Sequence, residues 1–96
     1  MKHAGQGALD QVEALLAELR TLGLTEKSRG VFYRRSQAFL HFHEDPNGLF
    51  ADLRAAEGND FDRFRVEEPA EREAFLSVAR DRAAQAPAAR RRAAQS

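Results

Sequence analysis

The stretch Val31–Asp45, VFYRRSQAFLHFHED, carries three of the chain's seven phenylalanines, its one tyrosine and two of its three histidines. Val31-Phe32-Tyr33 is β-branched and aromatic, as strands prefer. Arg35-Ser36-Gln37 suits a turn, and Ala38–Glu44 reads as a second strand antiparallel to the first. Asp45-Pro46-Asn47-Gly48 follows, where proline removes a backbone donor and Asn-Gly favours a hairpin. Leu49–Arg54 makes a third strand, and after the loop AAEGND (residues 55–60) Phe61–Val66 makes a fourth. Arg63 and Arg65 place that fourth strand at an edge.

Helices flank these strands. Leu9, Val12, Leu15, Leu16, Leu19 and Leu22 recur at helical spacing, which predicts one helix over residues 8–22, with Gly23 ending it in the left-handed conformation. Thr25–Gly30 reads as a polar loop. Glu67-Glu68-Pro69 opens a second helix, proline in its first turn and the acids at its positive end. Residues 1–7, with two glycines and no periodicity, read as disordered. Residues 85–96, rich in alanine and arginine, read as a flexible basic tail. The prediction is a single α+β domain over residues 8–84. It is a two-layer sandwich of helix, three or four antiparallel strands in a meander, and helix, both helices lying on one sheet face.

Composition narrows the function. No cysteine is present, which removes disulfides, thiolate metal sites and cysteine nucleophiles. Fifteen basic residues balance fifteen acidic ones, so no net field steers the molecule to nucleic acid. No stretch approaches the roughly 20 apolar residues of a membrane span, and a cytoplasmic protein with no membrane partner is expected. The four serines sit in no nucleophile elbow, and Gly5-Gln6-Gly7 has neither a preceding strand nor a third glycine. A binding or interaction module is expected rather than an enzyme.

Register then assigns faces. A two-residue turn at Asn47-Gly48 puts His43 opposite Asp52, and a four-residue turn over Asp45–Gly48 puts His41 there. The two alternatives differ by two residues, so the faces are the same in both. Turning the first hairpin at Ser36-Gln37 pairs Tyr33 with Leu40 and Arg34 with Phe39. Val31, Tyr33, Leu40, Phe42, Leu49, Ala51 and Leu53 then form the core face. Phe32, Arg34, Phe39, His41, His43, Phe50, Asp52 and Arg54 form the outer one. Three exposed phenylalanines rimmed by charge mark a contact surface, and self-association or a protein partner is the first expectation. Nucleic acid is an alternative, with bases stacking on the aromatics and Arg90, Arg91 and Arg92 meeting phosphates. A divalent-metal site on His41, His43 and Asp52 is another, because two imidazoles and a carboxylate form a zinc or iron(II) ligand set. Strand neighbours on one face lie about 6.5–7 Å apart, so the two histidines must lean together to share an ion. A small-molecule pocket between sheet and helices is a fourth reading. No cofactor other than that metal is expected. A histidine beside Asp52 should have a raised pKa.

The run Leu22–Leu53, LGLTEKSRGVFYRRSQAFLHFHEDPNGLFADL, followed by FDRFRV and a closing helix, resembles the bacterial MmcQ/YjbR-like small α+β domains. The motifs that carry it are Val31-Phe32-Tyr33-Arg34 and Phe50-Ala51-Asp52-Leu53. The family's tryptophan and its C-terminal strand-and-helix part are missing here. The resemblance implies a compact bacterial, cytoplasmic domain whose biochemical role is unsettled, with a suggestion of DNA binding, and carries over no catalytic residue.

Overall fold

A computed structural model describes residues 2–85 as one antiparallel sheet backed by three helices. In chain order these are β1 (Lys2–His3), α1 (Gln6–Gln11), α2 (Glu13–Leu19), β2 (Thr25–Ser28), β3 (Val31–Arg34), β4 (Gln37–Asp45), β5 (Gly48–Arg54), β6 (Phe61–Arg65) and α3 (Pro69–Ala84). The sheet runs β2-β3-β4-β5-β6, and β1 pairs with the far end of β4, beyond the reach of β3. The α+β class and the antiparallel meander are as the sequence predicts. Among the described residues no helix is long and apolar enough to cross a membrane. The basic tail, Arg90–Arg92 included, lies outside the described residues.

Four local expectations are corrected. Residues 2–7 are not disordered: Lys2 and His3 pair with Glu44 and His43, and α1 begins at Gln6. The single helix over 8–22 is two, broken at Val12, whose ψ of 20° is not helical and whose N–H turns to the Leu9 carbonyl three residues back. The break leaves the apolar stripe intact, since Leu9, Val12, Leu15, Leu16 and Leu19 are all buried. The loop Thr25–Gly30 contains β2, an edge strand paired with β3 through Glu26↔Phe32. Gly23 does take the expected left-handed conformation, with φ 78°.

The fourth correction reverses faces. The first hairpin turns at Arg35-Ser36, Arg35 adopting φ 60°, and pairs Phe32 with Leu40 and Val31 with His41. That is one residue away from the predicted register, and a one-residue slip exchanges the two faces of a strand. Phe32 therefore enters the core, fully buried, while Val31 shares the outer face with His41. Toward the turn the ladder skips a residue, from Phe32↔Leu40 to Tyr33↔Ala38, so Phe39 is the extra residue of a bulge. It too is buried in the core. Arg34 lies 5.0 Å over the Phe39 ring and donates to the Arg82 carbonyl at the end of α3, at 2.5 Å. The predicted contact surface thus loses Phe32, Phe39 and Arg34 to the helix side.

The second hairpin follows the sequence closely. Its register is His41↔Asp52, continued to Asp45↔Gly48 so that Pro46-Asn47 connects the strands. The Asn47 N–H donates to Asp45 Oδ1 at 2.7 Å, and Gly48 adopts φ 129°, where a Cβ would meet Glu67 Oε1 at 2.9 Å. Leu40, Phe42, Ala51 and Leu53 fill one face and pack with the helices, including Phe75 and Ala79 of α3. Proline opens α3 as predicted, and Glu71 accepts the Glu68 N–H at 2.9 Å.

Substitution separates the two faces. Phe32→Ala should cost about 3–5 kcal/mol, as core phenylalanine truncations do, whereas Phe50→Ala, at a half-buried outer position, should cost clearly less. Equal losses in denaturant unfolding would contradict the observed register.

Candidate metal centre

Alternation along β4 sends His41 and His43 to the same face, and the β5 register sets Asp52 directly across from His41. The next strand adds Arg63 opposite Asp52, and on the other side β1 adds His3 opposite His43. The histidines do lean together. The His41 and His43 rings meet edge to face with centroids 4.6 Å apart, well inside the strand repeat of about 6.5–7 Å. His3 lies 5.1 Å from His43 and 5.8 Å from His41 by the same measure, and Phe61 flanks His41 at 5.2 Å.

Asp52 organises the charge. It is 6% exposed, and Arg63 grips it with both arms, Nε to Oδ1 at 2.7 Å and Nη2 to Oδ2 at 2.9 Å. His43 Nε2 approaches Asp52 Oδ2 to 3.1 Å, an ion-pair contact rather than a hydrogen bond. Both nitrogens of His43 and Nδ1 of His41 are buried without a hydrogen-bond partner on the protein. Buried polar atoms left unpaired each cost about 1–3 kcal/mol, so the Nδ1 atoms of both histidines call for an explanation. One donor atom from each of His41, His43 and Asp52 can be chosen so that all lie within 4.8 Å of one another.

Burial pulls the Asp52 carboxyl upward, but the Arg63 hydrogen bonds and charge, with smaller help from the two histidines, outweigh it and hold it below its ordinary 3.8. Burial, then the neighbouring His43, push His41 below the ordinary 6.5, and Asp52 only partly opposes them. The raised pKa expected for a histidine beside Asp52 therefore does not hold for His41: desolvation of its charged form exceeds the attraction.

Of the eight outer-face residues read from sequence, the structure brings together His41, His43 and Asp52, with Phe50 and Arg54 on the same face. Arg54 donates to the Ala38 carbonyl at 2.7 Å and stacks on Phe61, so, like Arg34, it is engaged within the fold. His3, Arg63 and Phe61 are site neighbours that the sequence reading missed. Alternation from a half-buried Phe64 side would have located Arg63 and Phe61; nothing in Lys2-His3 signals a strand. In comparisons with known proteins, the chain matches no family model, no curated protein and no solved structure. The resemblance to MmcQ/YjbR-like domains rests on the quoted motifs alone.

The lowered His41 pKa has a sign. Below about 6.5 the unfolded chain takes up this proton more readily than the native one, so the contribution is complete above that value and is lost as pH falls toward the native pKa. The metal-free protein should lose thermal stability between about pH 7 and 5, with His41 titrating below 6.5 in proton NMR. A His41 titration at or above that value would contradict the assignment.

Proposed function

We propose that this protein is a small metal-binding domain taking one divalent first-row transition ion, zinc or iron(II), on His41, His43 and Asp52. The observation that carries this reading is the convergence of those donors within 4.8 Å on one sheet face, together with the unpartnered imidazole nitrogens. Nitrogen-rich sets with one carboxylate suit zinc, iron, cobalt and nickel, whereas magnesium and calcium prefer all-oxygen shells. A metal takes one nitrogen from each imidazole, so it would give one otherwise unpaired nitrogen per ring a partner. Arg63 is half exposed and holds Asp52 from the solvent side, so it acts as an outer-shell residue that fixes the carboxylate's orientation.

A second reading keeps the same face but changes the ligand. Phe50, Phe61 and Val31 are half-buried around the histidines and offer an apolar surface to a second copy of the chain. Light scattering separates the two: a dimer in chelator that Phe50→Glu, Phe61→Glu dissolves supports self-association.

Zinc titration against a chromophoric chelator should show one site, lost in His41→Ala and in His43→Ala. At a free zinc concentration about 100 times Kd the native state gains about 2.7 kcal/mol, a rise in melting midpoint of roughly 10–20 °C for a domain this size. A midpoint indifferent to zinc would contradict the proposal.

A further inference from the structure

Resting on the metal reading above, we propose that His3 is the fourth ligand, so that the bound ion clasps strand β1 to the sheet. Strand β1 is only two residues long, joined to β4 through Lys2↔Glu44 and His3↔His43. Beyond it, the Ala4 N–H donates to the Phe42 carbonyl at 3.1 Å, the Gly5 N–H donates to the Glu44 carboxylate, and Ala4 packs against the core. Such a short pairing is marginal by itself. Yet the register delivers a third imidazole to the one place on the sheet where two others already converge.

The spacing fits a shared ion. On a tetrahedral zinc with Zn–N of about 2.0–2.1 Å, ring centres stand about 3.2 Å from the metal and about 5.2 Å from one another. The three observed separations, 4.6, 5.1 and 5.8 Å, bracket that value. His3 is exposed where His43 is 88% covered, and the 4.8 Å donor set comprises only His41, His43 and Asp52. His3 therefore closes last, by rotating its side chain over a preformed three-ligand set. Four protein ligands make a closed site, the pattern of structural rather than catalytic zinc. Metal loss would remove this tie from β1 and weaken its hold on the His43–Glu44 edge of β4, the kind of edge that accepts another strand when uncovered.

The test uses the full chain and zinc itself, the ion that three imidazoles and a carboxylate suit. Zinc affinity is measured for wild type and His3→Ala, and hydrogen exchange of the N-terminal peptide is followed with zinc and with chelator. The clasp predicts that His3→Ala binds zinc at least about 10-fold more weakly, the low end of what even outer-shell partners cost. It also predicts that zinc adds protection to residues 2–5 in wild type but not in the variant. Unchanged affinity in His3→Ala overturns the proposal and leaves the three-ligand site standing. Weaker affinity without N-terminal protection puts His3 on the ion but overturns the clasp. Absence of zinc binding by wild type overturns this proposal and the metal reading together. Helical content matching wild type by circular dichroism guards against reading misfolding as ligand loss.

Discussion

Strand β4 is paired along both edges, and its side chains must alternate between two environments. Leu40 and Phe42 go to the helices, fully or almost fully buried, and that choice forces His41 and His43 onto the other face. The histidine pair is thus held in place by hydrophobic burial on the opposite side of the same strand. A slip by one residue would expose two large apolar side chains and bury two imidazoles, a change no hydrogen bond in the sheet could offset. Each such apolar side chain stabilises the native state by about 1.5–3 kcal/mol. The site inherits its rigidity from that constraint.

The cluster is then a balance between desolvation and partnership. Asp52 can be nearly buried as an anion because Arg63 satisfies both its oxygens. The histidines are less well served: His43 Nε2 has Asp52 Oδ2 at 3.1 Å, and Nδ1 of each ring has no hydrogen-bond partner on the protein. His41 responds by becoming harder to protonate, while one donor atom from each histidine and one from the carboxylate stay within 4.8 Å of one another. A metal ion stabilises such an arrangement by supplying the missing positive centre without a proton. It also needs a neutral imidazole, the form this environment favours at His41.

Much of this was legible in the residues. Alternation in Ala38–Glu44 and the signal at Pro46-Asn47-Gly48 sufficed to bring His41, His43 and Asp52 onto one face, since both candidate registers agreed on it. The first hairpin was not legible, because its turn at Arg35-Ser36 has no glycine or asparagine and puts arginine at φ 60°. The bulge at Phe39 compounds the difficulty, breaking the period of two on which face assignment depends. So Phe32 and Phe39, which looked like a contact surface, are core. His3 was hidden for another reason: a two-residue strand has no period, and its position is set by the uncovered end of β4 rather than by its own sequence.

The central claim is that this histidine and aspartate cluster is a metal centre. X-ray absorption at the zinc edge, on protein loaded with one equivalent and freed of excess, addresses it most directly. The account predicts a first shell of nitrogen and oxygen near about 2.0–2.1 Å with the outer-shell scattering of imidazole rings. A six-oxygen hydrated shell without imidazole scattering, or zinc lost on desalting, would contradict it.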